Sequence, residues 1–196
     1  MRVLKSGTSK ESRRVLNNYA SGDLYDSNEH VLSRTETIAN MARDAVNAAK
    51  KYVPNKKLEM FLTEYNIKWV WDPVELRHGN NIGAVFHAST LRQLVDVGVS
   101  GAMVWHLKGH SYGVIEGDNT PRAPFNLFRW GTHYLTGNMP ENTSSDAKSL
   151  RLFPVIRADG SRSLLLINSA DRRVQIAGGN ALFPSQGKTI RAERID

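Results

Sequence analysis

The sequence predicts an α/β fold followed by an antiparallel β region. Up to Gly137, short apolar segments alternate with segments of helical period, an order typical of parallel strands joined by helices. After Gly137 the pattern changes to short β-like segments separated by turn residues. We therefore expect two parts, residues 1–137 and residues 138–196.

The first predicted strand follows a polar N-terminal stretch. The apolar segment that ends in residues 15–20 is followed by Ser21-Gly22-Asp23, which predicts a turn. Tyr19 stands at the end of this strand. Its hydroxyl and ring are therefore expected at the same sheet edge as the ends of the following parallel strands.

The first predicted helix has recognisable start and stop residues. Ser33 and Glu36 have the spacing of a capping box, in which each side chain accepts from a free amide of the first turn. Apolar residues recur at helical spacing from Ile38 to Ala49 and predict one buried face. Pro54 is expected to end the helix.

Two further strand–helix pairs follow. The apolar segment Leu58–Tyr65 predicts a buried strand, and the helix predicted over residues 82–97 ends at Gly98, a typical C-cap. Residues 101–107 predict the next strand, and residues 125–135 the next helix. Strands apolar on both faces are typical of a parallel sheet covered by helices.

The C-terminal part is predicted to be antiparallel. Residues 138–149 form a polar linker, and Asp159-Gly160 is a strong hairpin signal. The β-like segments are residues 150–157, 162–168, 173–177 and 189–195. These predict a sandwich-like region beside the first part.

Composition excludes several classes of protein and site. The chain has 196 residues and no cysteine, which excludes disulfides, thiolate zinc sites and cysteine nucleophiles. Its longest nearly apolar run, Val97–Leu107, is too short to span a bilayer, and the N-terminus has no apolar signal-peptide segment. We therefore expect no membrane partner and assign no compartment.

The net charge of the chain is +7, but its Lys and Arg residues are dispersed along the sequence. A solvated basic surface is therefore favoured over nucleic-acid binding.

The segment Thr63-Glu64-Tyr65-Asn66 is the most informative for chemistry. It ends an apolar strand, where a carboxylate is costly to bury unless it is paired or functional. In α/β barrels the strand ends build the active site. Glu64 is therefore a candidate nucleophile or base, and the alternative is a solvated or salt-bridged glutamate just past the strand.

The next strand end offers an aromatic residue. Trp105 would stack on a sugar ring if it is exposed, or belong to the core if it is not. His106 and His110 follow it at a spacing of four on a strand and loop, without an acidic partner at ligand spacing. No metal site and no cofactor are expected from them.

These residues resemble the retaining glycoside hydrolases with a (β/α)8 barrel, in the clan of the family 39 β-xylosidases and α-L-iduronidases and the family 51 α-L-arabinofuranosidases. The resemblance covers about residues 15–135 and implies the last three βα units of that barrel. It implies that Glu64, within Thr-Glu-aromatic, is the nucleophile. It also implies that Trp105 lines the sugar subsite, that Tyr19 hydrogen-bonds to or positions the nucleophile, and that Asn66 supports the loop or the substrate. A C-terminal β-sandwich is common in these relatives.

The resemblance also identifies a missing part. Retaining hydrolysis needs two carboxyl groups about 5–5.5 Å apart, and the clan places its acid/base in an Asn-Glu-Pro segment that this sequence lacks. Glu116, in the last loop, and Asp23, Asp26 and Glu29, after the first strand, do not occupy the family's position. Three strands where a barrel needs eight leave an open sheet edge and an uncovered interior face.

The expected function is therefore a glycosidase fragment that acts on a glycoside or oligosaccharide and is inactive alone. Its expected partner is the missing N-terminal half of the barrel. The alternative is a non-catalytic carbohydrate-binding module derived from such a barrel, with tryptophans as stacking platforms. Its candidate platforms are Trp69, Trp71, Trp105 and Trp130. A basic nucleic-acid-binding protein is a third interpretation that rests on charge alone.

Overall fold

The computed structural model describes residues 27–56, 58–68, 75–141, 146, 148–174 and 193–195. Within these ranges the fold is mixed α/β, with three α-helices, one short 3-10 helix and two two-stranded sheets. The predicted α/β class is confirmed. The first predicted strand, with Tyr19, lies outside the described residues, and so does most of the last two predicted β segments.

Helix α1, Asn28–Tyr52, begins earlier than its sequence pattern predicts. Its N-cap is Ser27, whose side chain accepts a hydrogen bond from the His30 amide at 3.1 Å. The prediction that Ser33 starts the helix was wrong, because its hydroxyl donates to the His30 carbonyl within the first turns. The helix ends at Tyr52, just before Pro54, as predicted.

The buried face of α1 forms one side of the main core. Gln93 of the second helix donates to the Thr35 hydroxyl of α1 at 2.9 Å and ties the two helices together. Full burial of a valine, leucine or isoleucine side chain stabilises a fold by about 1.5–3 kcal/mol. The buried apolar residues of α1 in this core are Val31, Leu32, Ile38, Ala39, Ala42 and Val46.

Two parallel strands and their crossover helix form the centre of the structure. Strand β1, Phe61–Tyr65, pairs with β2, Gly101–Val104, and helix α2, Asn81–Val97, connects them. Gly98 has φ +84° and ends α2 in the left-handed conformation, which confirms the predicted C-cap. The parallel βα arrangement expected from the sequence is thus present for this pair.

Among the described residues, the sheet is covered on one face. Leu62 and Tyr65 are buried in the core with α1 and α2, whereas Phe61 is 50% and Met103 is 47% exposed. The strands are apolar on both faces, as the sequence indicates, and in the described residues the helices cover one of these faces. The Phe61 ring lies so close to Gly101 that a Cβ at this position would stand 2.9 Å from a ring carbon. The Phe61 ring on the open face therefore lies over Gly101 of the neighbouring strand.

Helix α3, Ala123–Tyr134, follows β2 after a long loop, residues 105–122, which we call the β2–α3 loop. A 3-10 helix, Leu76–His78, precedes α2 and packs against its first turn. Gly83 is required there, since a Cβ would stand 2.4 Å from the Arg77 carbonyl oxygen. No helix in the described ranges is both long and apolar enough to cross a membrane.

The predicted C-terminal hairpin is present. Strands β3, Leu150–Ile156, and β4, Arg162–Asn168, pair antiparallel around Asp159-Gly160. Ile167 of β4 joins Ala88 of α2 and Leu127 of α3 in a small apolar cluster. Arg92 of α2 donates from Nε to the Leu152 carbonyl at 2.6 Å. The hairpin is thus docked on the helices, and the domain boundary predicted at Gly137 stays a prediction.

Candidate active site

The carboxyl ends of β1 and β2 lie side by side. The Trp105 amide, just past β2, donates to the Tyr65 carbonyl at 3.0 Å. Glu64 precedes Tyr65 in β1, so this bond brings the strand segments that carry Glu64 and Trp105 to one edge of the sheet. The sequence placed both residues at strand ends, and the resemblance implied that they share one sugar subsite.

Glu64 is an exposed residue of a strand whose next residue, Tyr65, is 1% exposed. The carboxylate is therefore on the side of the sheet that the helices leave open, where a ligand has access. Thr63 is exposed as well. This exposure gives a substrate the access that a nucleophile needs. It is equally compatible with the alternative interpretation of Glu64 as a solvated glutamate.

Trp105 is exposed to 46% at this edge. The interpretation of Trp105 as a core residue was therefore wrong. Its indole lies nearly parallel to the His106 ring, with ring centroids 5.6 Å apart and an interplanar angle of 17°, and the Trp105–His106 peptide bond is cis. An exposed indole at the sheet edge that also carries the Glu64 strand end is suited to stacking on a sugar ring.

Asn66 is 5% exposed and contacts the neighbouring backbone. Its Nδ2 donates to the carbonyl oxygens of Trp105 and, at 3.3 Å, of Tyr112, and its Oδ1 accepts from the Ile67 amide at 2.8 Å. Two roles were predicted for Asn66, support of the loop or of the substrate. The contacts are those of loop support.

Arg122 holds the β2–α3 loop together from within. Its Nη1 donates to the carbonyls of Ser111 at 3.0 Å and Gly113 at 2.7 Å, and its Nη2 donates to that of His110 at 2.8 Å. The Ile115 amide donates to the Leu107 carbonyl across the same loop. Sequence reasoning missed Arg122, because its partners lie 9 to 12 residues away with no periodic spacing.

Glu116 is engaged by the same arginine. Its carboxylate accepts two hydrogen bonds of 2.6 Å from Nε and Nη2 of Arg122. The hydrogen bonds from Arg122 lower the pKa of the Glu116 carboxyl. A general acid needs the opposite, a raised pKa. Glu116 is therefore unsuited to the acid/base role that was considered for it.

Two buried histidines lie behind the site and were not predicted. His78 lies 4.7 Å from the Tyr112 ring, and His87 lies 5.4 Å from the Tyr65 ring, measured between centroids. Burial lowers the pKa of His78 to about 4, against an opposing effect of the Glu75 carboxylate, and burial lowers that of His87 to about 3. Both rings are therefore neutral at pH 7. The helical spacing of His87 with the buried residues Ala84 and Leu94 was the available signal.

The other candidate residues lie elsewhere. Glu29 is in the first turn of α1 and lines a cleft between the helices and the β3–β4 hairpin. Trp130 lines that cleft too, whereas Trp105 does not, so these two tryptophans do not share a groove there. Tyr19, Asp23, Asp26, Trp69 and Trp71 lie outside the described residues.

The histidines of the β2–α3 loop do not form a metal centre with acidic partners. His106 Nε2 lies 3.1 Å from the Gly109 carbonyl oxygen, and the His106 and His110 rings are 6.2 Å apart. In the part of the chain that the structure describes, no three His, Asp or Glu residues group as metal ligands.

No protein-family model and no curated protein matches this sequence. The candidate site is therefore defined by its own geometry. The site consists of the accessible Glu64 carboxylate on β1, the exposed Trp105 indole after β2, and the β2–α3 loop that Arg122 closes.

Proposed function

We propose that this chain is part of a retaining glycoside hydrolase, with Glu64 as the nucleophile and Trp105 as a sugar platform. The observation that carries the proposal is the hydrogen bond from the Trp105 amide to the Tyr65 carbonyl at 3.0 Å. It joins the end of the Glu64 strand to an indole that is 46% exposed. Both groups lie where the carboxyl ends of parallel strands build active sites in α/β barrels.

The proposed chemistry follows from a carboxylate beside a stacked sugar. A Glu64 oxygen attacks the anomeric carbon as the bond to the leaving-group oxygen breaks, which forms a glycosyl ester. Water then cleaves that ester and restores the carboxylate. Trp105 orients the ring, and Tyr19 is proposed to position the Glu64 carboxylate. No cofactor is needed for these steps.

The leaving group needs a proton that the described residues do not supply at a recognised position. Glu116 is held in its ionised form by Arg122. We therefore propose that further strands of a (β/α)8 barrel, in a preceding segment or another chain, bring the acid/base and cover the open face. Phe61 and Met103, each about half exposed on that face, are the apolar residues that such strands would bury.

A carbohydrate-binding module without catalysis is the second candidate. It uses the same Trp105 platform and is favoured by the engagement of Glu116 with Arg122, which removes this loop carboxylate from acid catalysis. The two candidates make different predictions for covalent labelling of Glu64.

The test uses a substrate that needs no acid. A panel of 2-deoxy-2-fluoro pentosides and hexosides with a dinitrophenolate leaving group forms the glycosyl ester without protonation, and the fluorine slows its hydrolysis. We expect intact-mass spectrometry to show one glycosyl adduct, and peptide mapping to place it on Glu64. Glu64→Gln should remove the adduct.

Glu59→Gln is the matched control, since Glu59 is an exposed glutamate shortly before the same strand. It should label like the wild-type chain. Glycoside binding without any adduct would favour the binding module. An adduct that persists in Glu64→Gln would contradict the nucleophile assignment.

A further inference from the structure

The pairing of β1 and β2 is irregular at the proposed site. Leu62 pairs with Ala102, and the next pair is Tyr65 with Val104, so β1 advances three residues where β2 advances two. The extra residue lies in the Thr63–Glu64 segment. A bulge of this kind interrupts the ladder and turns a side chain to a new direction. Regular strand pairing alone therefore does not set the position of Trp105 relative to Glu64.

Asn66 supplies a fixed contact just beyond this irregularity. The Trp105 backbone is held at both polar groups by consecutive residues, since its amide donates to the Tyr65 carbonyl and its carbonyl accepts from Asn66 Nδ2. Asn66 Oδ1 is held in turn by the Ile67 amide at 2.8 Å. The amide plane of Asn66 is thus anchored on its own strand and reaches across to the next.

The second contact of the same nitrogen is with the β2–α3 loop. Asn66 Nδ2 donates to the Tyr112 carbonyl at 3.3 Å, and Tyr112 is 2% exposed. One buried amide therefore joins the end of β1 to two points of the β2–α3 loop, its first residue, Trp105, and Tyr112. Only a side chain with a donor and an acceptor on one short plane makes these contacts together.

We propose that Asn66 is a positioning residue, which sets the orientation of the Trp105 indole relative to the Glu64 carboxylate. What the indole binds rests on the proposed function, whereas the positioning of the indole does not. Asn66→Asp is nearly isosteric but replaces the donor with an anionic oxygen that faces two carbonyl oxygens. The loss of a buried hydrogen-bonding partner is costly, so Trp105 and the loop are expected to separate from β1.

The experiment follows the indole directly. The Nε1–H resonance of Trp105 is assigned in a ¹H–¹⁵N spectrum by its loss in Trp105→Phe. Asn66→Asp should shift or broaden this resonance in a protein that still unfolds cooperatively. With the fluoroglycoside that labels the wild type best, the concentration for half-maximal labelling should rise about tenfold. The limiting labelling rate should change much less, because Glu64 is intact.

Arg122→Lys is the control. It loosens residues 109–116 of the β2–α3 loop without removing the bond from Asn66 to Trp105, so it should leave the indole resonance in place. If Asn66→Asp does not fold, Asn66→Ser, which is smaller and uncharged and does not reach Trp105, should move the resonance instead. An unchanged Trp105 resonance in either folded variant would overturn the proposal.

A wild-type chain that neither binds nor labels with any glycoside would refute the proposed function, and the indole resonance would still decide the role of Asn66. Conversely, wild-type labelling on Glu64 with an unmoved resonance in the Asn66 variants would support the nucleophile and refute the positioning role. The two failures are therefore separable.

Discussion

Arg122 and Glu116 form a bidentate ion pair, with Nε to Oε1 and Nη2 to Oε2 both at 2.6 Å. The same guanidinium donates to three backbone carbonyls of the loop that it closes. A planar group with five N–H donors suits this set of acceptors, whereas an ammonium does not. The pair therefore defines the conformation of the β2–α3 loop and removes Glu116 from acid catalysis.

Replacing this guanidinium should loosen the loop. Arg122→Lys keeps the charge but loses the fork of donors, so we expect faster amide hydrogen exchange at residues 109–116 and a loss of about 1–3 kcal/mol in unfolding free energy. Glu116→Gln still accepts a hydrogen bond and should have a smaller effect, since the carboxylate is 46% exposed. Equal exchange rates in wild type and Arg122→Lys would contradict this role.

Gly83 and Gly131 provide a matched pair of helical glycines. Gly83→Ala places a Cβ 2.4 Å from the Arg77 carbonyl oxygen and 2.8 Å from that of His78, so the 3-10 helix must move. We expect a loss of about 1–3 kcal/mol, as for other overpacked sites. Gly131→Ala has no neighbour within 4 Å and should stabilise α3 by roughly 0.5–1 kcal/mol.

Urea unfolding of the two variants measures both effects. Opposite signs of the change in midpoint are the expected result. A Gly83→Ala variant as stable as wild type would show that the contact between α2 and the 3-10 helix is not tight.

The buried histidines predict a pH dependence of stability. The pKa of His78 is lowered by burial to about 4 and that of His87 to about 3, from an ordinary value of 6.5. Below pH 6.5 the unfolded chain therefore binds protons that the folded chain does not. The free energy of unfolding is therefore unaffected by these two histidines above pH 6.5. As the pH falls from 6.5 toward their folded-state pKa values, the free energy of unfolding declines by up to about 1.4 kcal/mol per pH unit for each histidine.

Unfolding free energies measured between pH 7 and pH 5 test this, because the lowered pKa of Glu75 and Glu116 affects stability mainly below their ordinary value of 4.5. His87→Phe keeps an aromatic ring among Tyr65 and Phe128 and should flatten the dependence. A wild-type stability that does not decline between pH 6.5 and pH 5 would refute the prediction.

The sequence by itself determined the elements whose signals are local. Gly98 ends α2 with a left-handed φ, and Asp159-Gly160 turns the hairpin, because a turn or cap depends on a few adjacent residues. The apolar runs predicted the end of β1 at Tyr65, whereas they placed the end of β2 at Leu107 and the structure places it at Val104. Glu64 was identified as a candidate in the same way, from its place at a strand end.

Only the tertiary structure decided which groups meet. Asn66 contacts Trp105 across 39 residues and Tyr112 across 46, and no local pattern encodes those distances. The burial of His78 and His87 and the exposure of Trp105 depend equally on which elements pack together. Side-chain periodicity predicts that a strand or helix has an apolar face, but the packing of neighbouring elements decides whether that face is covered.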